Sequence, residues 1–368
     1  MDKKFLCVVI ISIMVIQLLP MQNLEQLEEI EIQRIAGLQQ TEIAPSFEGL
    51  VGGSNSMSAS KDATCMIGDD AGLYCWGGRN DNTANGFGNS TTPTTPMRVN
   101  LLNGTTFNSV ITLAYNTCVH FTNGSVGCFG YSGYGLGVSS YSLDKNTTIV
   151  YPFGSTYLTT ISGGDRLICG LDNSSTIYCS GYARTYVIPG YTTGIYSNKT
   201  FTIPNAGDLR QIHVTDSTSC VVNTIGSVYC WGTKYFDCPS YILNCYEPRK
   251  LILPFNATVV QVTVSDHTTL YGSSSNIKAV CMLFSNGSVG CIGYSQQNGA
   301  TTANGIYWRP LADKAIYISM DSFTGCAILI DGDAECWGSW AGTLGTASSS
   351  NNYQPKFSLS NNDNFTNI

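Results

Sequence analysis

The sequence predicts an all-β chain folded as a β-propeller of six blades, with one disulfide inside a hairpin of each blade. Three observations carry that expectation. Six cysteine pairs share one spacing: Cys65–Cys75, Cys118–Cys128, Cys169–Cys179, Cys220–Cys230, Cys281–Cys291 and Cys326–Cys336 each span ten residues. The first cysteines follow one another at 53, 51, 51, 61 and 45 residues, a period that signals a propeller or array. Apolar residues alternate around every pair, as on the buried face of a strand.

Within each unit the first cysteine is followed two residues later by Ile67, His120, Leu171, Val222, Leu283 or Ile328. Leu73, Val126, Ile177, Val228, Val289 or Ala334 stands two before the second. These residues share a strand face with the cysteines. Six residues after the first cysteine comes Gly124, Gly226, Gly287 or Gly332, with Ala71 and Ser175 in the other two copies. A three-residue hairpin loop takes a left-handed residue at its third position, which favours glycine. Such a loop sets the two cysteines directly opposite each other, about 4.5–5.5 Å apart at Cα and within disulfide reach. Each pair is therefore expected to close its own hairpin. Cys238 and Cys245 form the remaining pair and most simply close a local loop. Nine residues between partners, six times over, do not suit zinc, which favours two to four.

Trp76, Phe129, Trp231 and Trp337 follow the second cysteine in four units and are expected to pack between sheets. Gly77, Gly130, Gly181, Gly232, Gly293 and Gly338 come next in all six, which implies a bulge or a close backbone approach. Eight residues before the first cysteine lie Met57, Val110, Ile161, Ile212 and Ile318; Phe107, Leu158, Leu209 and Ala315 lie eleven before. These columns read as an incoming strand. After the hairpin comes a variable loop, with Pro96, Pro248, Pro310 and Pro355 expected to end the loops and start a last short strand. Three to four strands per unit make a propeller blade.

Taken together, the run Cys118-Val-His-Phe-Thr-Asn-Gly-Ser-Val-Gly-Cys-Phe-Gly, then Gly133-Tyr-Gly-Leu-Gly, resembles the regulator of chromosome condensation repeat. Cys326 through Trp337-Gly338, followed by Gly342-Thr-Leu-Gly345, carries the same marks. The resemblance covers roughly residues 54–368 and implies a propeller of four-stranded blades, of the secreted, disulfide-containing type. The best-known relatives have seven blades, whereas six cysteine hairpins stand here. The Gly-x-Leu-Gly element is degraded after Cys179, Cys230 and Cys291. The nuclear nucleotide-exchange role of the family is not implied, because a signal sequence and disulfides belong to another compartment.

Compartment follows from the ends and the cysteines. Lys3 and Lys4 precede an apolar run from Phe5 to Leu19, so residues 1–21 read as a secretory signal peptide that takes Cys7 with it. The run is short for a membrane span, and no stable membrane anchor is expected. The other 14 cysteines are even in number, as a closed disulfide set requires. Asn-x-Ser/Thr sites begin at Asn89, Asn103, Asn123, Asn146, Asn173, Asn198, Asn256, Asn286 and Asn364, marking a heavily N-glycosylated surface. Asn123, Asn173 and Asn286 fall on hairpin turns. The chain is thus expected to be secreted, extracellular or at the cell surface.

Residues 22–53 form an N-terminal extension or assembly arm, in which Leu24, Leu27, Ile30, Ile35 and Leu38 sit near helical spacing; the propeller occupies 54–368. Phe365 and Ile368 match the incoming-strand columns of a next repeat and are read as a ring-closing strand for the first blade, with Phe47 to Val51 as a rival. A neighbouring molecule supplying that strand would make a polymer.

Chemistry is sparse. The chain carries a net charge of −7, with only 12% charged residues and no dense basic run, so no nucleic acid is expected as a partner. Histidine occurs only as His120, His213 and His267, and His120 sits at an inward strand position. No catalytic residue, metal ligand or cofactor site is expected; Asp331-Gly-Asp333 reads as a turn. The function expected is structural: an extracellular coat or surface-fibre protomer, not an enzyme, that self-associates or binds another extracellular glycoprotein. The alternative is a lectin-like or protein-binding module, with carbohydrate as a possible ligand, using loop tyrosines Tyr131, Tyr134, Tyr141, Tyr186 and Tyr191. A propeller glycosidase ranks below both, for want of a positioned carboxylate pair or tyrosine nucleophile. Titration of the mature, unfolded protein with a thiol reagent should find no free thiol; several would break the seven-bridge framework.

Overall fold

A computed structural model describes residues 57–60, 63–68, 70–77, 93–100, 105–131, 145–164, 166–183, 187–215, 217–233, 244–253, 258–267, 277–293, 306–320, 324–338 and 356–357. Residues 1–21, expected as a signal peptide, the 22–53 extension, Cys238 and the expected ring-closing residues Phe365 and Ile368 lie outside them. The described residues form six four-stranded antiparallel sheets, the blades of a β-propeller, each a meander in chain order. Blade 1 comprises β1 (Met57–Ala59), β2 (Ala63–Ile67), β3 (Leu73–Gly77) and β4 (Met97–Arg98). Blade 2 comprises β5 (Phe107–Thr112), β6 (Asn116–Phe121), β7 (Val126–Tyr131) and β8 (Lys145–Val150). Blade 3 comprises β9 (Thr160–Gly163), β10 (Leu167–Leu171), β11 (Ile177–Ala183) and β12 (Gly194–Phe201). Blade 4 comprises β13 (Leu209–Val214), β14 (Thr218–Asn223), β15 (Val228–Thr233) and β16 (Asn244–Lys250). Blade 5 comprises β17 (Val259–His267), β18 (Ile277–Phe284), β19 (Val289–Gly293) and β20 (Tyr307–Trp308). Blade 6 comprises β21 (Ala315–Met320), β22 (Thr324–Leu329), β23 (Ala334–Gly338) and β24 (Lys356–Phe357).

The second and third strands of every blade meet at the expected turn. In blade 2 the Phe121 N–H donates to Ser125 O and the Gly124 N–H to Phe121 O, both at 2.9 Å. The same pair of bonds recurs at Gly68/Gly72, Asp172/Thr176, Asn223/Ser227, Phe284/Ser288 and Leu329/Asp333. The third turn residue is left-handed in all six, with φ of 79°, 81°, 82° and 85° at Gly124, Gly226, Gly287 and Gly332, and 56° and 62° at Ala71 and Ser175. This turn leaves the cysteines at a non-hydrogen-bonded position, where opposed strands run closest. All six expected hairpin bridges are formed, with Cα–Cα distances of 4.0–4.2 Å. That is tighter than expected for an opposed pair, because the narrow site and the covalent bond both draw the strands together.

Three of the post-cysteine glycines behave as the sequence implied. Gly130, Gly181 and Gly232 have φ of 122–125°, and the pairing register slips just there against the fourth strand. A β-carbon on Gly130 would stand 2.8 Å from Asn116 Cα. Pro96 immediately precedes β4, but Pro248 lies inside β16 and Pro310 follows β20, contrary to the loop-ending role expected of them. The fourth strand is an edge, and Pro248 falls in its bulge, so the missing N–H breaks no ladder.

Among the described residues, five apolar cores lie between successive blades. In each, the cystine face of one blade meets the opposite face of the next, as with Cys220, Val222 and Cys230 against Val262, Val280 and Met282. Phe129, Trp231 and Trp337 are all but fully buried in these layers. The turn tips reach across as well. Gly124 O accepts from Leu158 N (2.8 Å), Gly226 O from Val259 N (3.2 Å) and Gly287 O from Ala315 N (2.8 Å), while Ser175 Oγ accepts from Leu209 N (2.8 Å). Each of these four tips thus fixes where the next blade's first strand begins.

A β-carbon on Gly226 would lie 2.8 Å from both Thr258 Cα and Val259 N, in backbone that cannot swing aside. Gly226→Ala should therefore destabilise the protein by about 1–3 kcal/mol in chemical unfolding. In blade 1, Ala71→Gly should instead gain up to about 1 kcal/mol by relieving the left-handed alanine.

Candidate interaction faces

In a four-stranded meander, the turn between strands two and three lies at the opposite end from the other two connections. Every blade therefore presents its cystine-hairpin tip, with the crossover to the next blade, on one face. The variable third-to-fourth-strand loops open on the other.

The tip face carries sequon asparagines. Asn123, Asn173 and Asn286 are exposed, each on its hairpin turn. Asn123 and Asn286 have matching geometry: Asn123 Oδ1 accepts from Ser125 N (3.0 Å) and Ser125 Oγ (2.7 Å), and Asn286 Oδ1 from Ser288 N (3.0 Å) and Ser288 Oγ (2.7 Å). Asn198 is exposed on β12 and left-handed at φ 43°, inside a bulge of that strand. Asn146 lies on β8, opposite Gly130. Asn89, Asn103, Asn256 and Asn364 fall outside the described residues. Asp331 Oδ1 accepts from Asp333 N at 3.0 Å, so the Asp331–Asp333 pair braces its turn.

The loop face concentrates aromatics on blades 2 and 3. The Arg166 guanidinium lies 5.6 Å from the ring centres of both Tyr115 and Tyr182, joining the two blades. Tyr191 packs edge-on against Tyr196 at 5.1 Å, and Lys199 Nζ stands 5.2 Å from the Tyr191 ring. Of the five loop tyrosines singled out from sequence, Tyr191 joins this cluster. Tyr131 ends β7 without a described side chain, and Tyr134, Tyr141 and Tyr186 lie outside the described residues. The sequence did not mark Tyr115, Arg166 or Tyr182. They sit at strand ends of two blades, and no local pattern links them.

Between the faces, polar side chains tie the first strand of one blade to that of the next. Ser58 Oγ accepts from Thr112 N and Ser162 Oγ from Val214 N, both at 2.9 Å. Gln211 Oε1 accepts from Val262 N, and Gln261 Oε1 from Ile318 N, again at 2.9 Å. These bonds satisfy backbone donors on a strand edge that has no ladder partner. His213 belongs to the same system, and His120 makes a separate contact from β6 to the next blade. His120 is buried, and its Nε2 donates to Leu158 O at 2.9 Å; burial lowers its pKa. His213 Nδ1 accepts from Val264 N at 3.3 Å, which leaves Nε2 to face Thr263 Oγ1 at 3.4 Å. Burial pushes the His213 pKa down to about 4, so the ring is neutral at physiological pH. His267 lies on β17, distant in sequence from both. A buried cation joins blades 5 and 6: the Arg309 guanidinium lies 5.0 Å from the Trp337 ring, and burial lowers its pKa to about 10, while the buried Glu335 accepts from Ala312 N (3.0 Å) through Oε1.

No family model matches this chain, and no curated protein does. Solved structures match it by fold. Human WBSCR16 is 15% identical with a TM-score of 0.70, over 83% of this chain and 81% of that one. Yeast RCC1 (Prp20), solved bound to Kap60, is 14% identical with a TM-score of 0.67, over 83% and 75%. Prp20p from Saccharomyces cerevisiae, in a second structure, is 15% identical with a TM-score of 0.67, over 83% and 77%. The protein is a β-propeller whose fold is similar to that of these RCC1 structures.

His213 makes the structure acid-sensitive. Its folded pKa of about 4 lies below the unfolded value near 6.5, so its contribution is complete above about pH 6.5 and is lost as pH falls toward 4. The loss is at most about 3 kcal/mol, and His120 adds to it with the same sign. The melting temperature should fall between pH 7 and 5. His213→Asn, which keeps an acceptor for Val264 but cannot titrate, should flatten that fall.

Proposed function

We propose that this chain is a secreted, N-glycosylated propeller with a structural role, the protomer of an extracellular coat or surface fibre. The observation that carries the reading is the recurrence of exposed sequon asparagines at equivalent hairpin tips of blades 2, 3 and 5. Glycans on those tips would shield one face and leave the loop face and blade edges for protein contacts. Export agrees with the basic-then-apolar start and with six hairpin cystines, which persist in oxidising compartments. Partners on this reading are further copies of the chain or another extracellular glycoprotein. The solved structure of Prp20 bound to Kap60, and the reported binding of Prp20p to Gsp1p and histones, support the use of this fold as a protein-binding platform.

A second reading has its own observation. The Tyr115–Arg166–Tyr182 stack and the Tyr191–Tyr196–Lys199 cluster suit a recognition surface for protein or carbohydrate on the loop face. Neither reading requires catalysis.

Electron microscopy of the natively secreted glycoprotein separates the two. Regular fibres or sheets, lost on deleting residues 22–46, are the result expected of a coat protomer. Isolated rings that bind a ligand, and lose it in Tyr191→Ala, would overturn the assembly reading in favour of recognition.

A further inference from the structure

The sequon tips of blades 2, 3 and 5 differ in what stands beside them. Each tip accepts the N–H that starts the next blade, from Leu158, Leu209 or Ala315. The residue just before that N–H is Tyr157 at blade 2, Asp208 at blade 3 and Lys314 at blade 5. A β-carbon on Gly124 would stand 2.6 Å from Tyr157 Cε2 and 2.7 Å from its Cγ, so the ring lies directly against the turn. A β-carbon on Gly287 would instead meet Lys314 Cβ at 2.6 Å. At blade 4, whose tip has no sequon, Thr258 takes this place.

Tyr157 is pressed on the turn along one side yet remains 54% exposed. Tyr151, at the start of the same crossover, is 51% exposed, and its ring lies 6.3 Å from that of Phe121. Phe121 stands two residues before Asn123. Among the described residues, three large aromatic side chains are at least 40% exposed, and two of them border the Asn123 tip; Trp308 is the third. The amide of Asn123 is already oriented. Its Oδ1 is turned into the loop by Ser125 N (3.0 Å) and Ser125 Oγ (2.7 Å). Nδ2, the atom that carries an N-linked glycan, therefore projects on the other side of the amide.

We infer that the first N-acetylglucosamine of a glycan on Asn123 packs on the exposed face of the Tyr157 ring, which makes this tyrosine a sugar-binding site within the chain. The inference rests on the N-glycosylated reading above. A pyranose presents several C–H bonds on one face. Their hydrogens, made positive by neighbouring oxygens, suit the negative face of an aromatic ring. Asn123 and Gly124 are consecutive, so the ring against Gly124 stands within reach of a sugar held by the Asn123 side chain. Attachment to the same turn makes the contact intramolecular, so even a weak stacking preference orders the sugar. Leu158 N, next to Tyr157, donates to Gly124 O at 2.8 Å, so the stacked sugar spans the junction of blades 2 and 3. A glycan fixed there covers a defined part of the tip face. Those on Asn173 and Asn286 have Asp208 and Lys314 at the corresponding place, not a ring.

The test is site-resolved release of glycans by a peptide:N-glycosidase from the folded, natively secreted protein, followed by glycopeptide mass spectrometry. Tyr157→Ala should speed release at Asn123 about fivefold and leave release at Asn286 unchanged. Tyr157→Phe keeps the ring and should behave as the natural chain does. Lys314→Tyr should transfer the effect, slowing release at Asn286 by about the same factor. Hydrogen exchange across residues 121–125 should be alike in the natural chain and in Tyr157→Ala. Faster exchange there would mean that the ring braces the turn, and would overturn the inference. Equal release at Asn123 with and without the ring would overturn it too. An Asn123 without a glycan, in a chain glycosylated elsewhere, would overturn this inference and leave the proposed function standing. A secreted chain with no glycan at any site would overturn both.

Discussion

The left-handed residue at the tip of each cystine hairpin governs the rest of the structure. It closes a three-residue loop whose register puts two cysteines opposite each other at a narrow pair. A two-residue or four-residue loop would offset them and send one cysteine to the wrong face. The same residue turns an acceptor outward: three times its carbonyl, and once the Ser175 hydroxyl, receives the N–H that starts the next blade. One backbone conformation therefore sets a disulfide within the blade and the position of its neighbour. That is why glycine holds four of the six tips, and why Ala71 and Ser175 accept positive φ in the other two.

Between the tips and the loop face, stability is layered. Cystines form one wall of each apolar core, and Phe129, Trp231 and Trp337 fill the facing wall. A first strand would otherwise leave bare donors on its edge, and Ser58, Ser162, Gln211, His213 and Gln261 supply acceptors from the preceding blade. Each such bond is worth about 1 kcal/mol net, but leaving its donor unmet in the interior costs more. His213 is the one acceptor in this set that protonation can remove. Its ring therefore gives the propeller a pH limit that a serine or glutamine in its place would not.

The two faces have different chemistry because the meander separates their connections. Short turns with a fixed left-handed residue leave little freedom at the tip face, and exposed asparagines recur there. Longer, variable loops open on the other face, where Arg166 bridges tyrosines of two blades. A coat or fibre protomer and a recognition module would use the same surface division, with the interaction surface on the side free of tip sequons.

Most of the fold was legible in the sequence because its determinants are local. Cys118 and Cys128, Gly124 between them, and the alternation on either side all fall within one hairpin. Their geometry follows from loop length and the two-residue period of a strand. Blade 5 was harder to align, since β17 and β18 are long and the segment joining them pushes Val259 and Val262 out of the expected columns. Pro248 and Pro310 were misread because a proline beside a loop is compatible with a strand's start, its bulge or its end. By itself the sequence determined the repeat, the hairpin, the six bridges and the left-handed tips, all set by contacts about ten residues apart. Only the tertiary structure decided which blade face meets which, that His213 is a neutral acceptor, and that Arg166 lies between Tyr115 and Tyr182. Those partners stand up to about fifty residues apart, and no periodicity along the chain encodes the direction in which one sheet packs on the next.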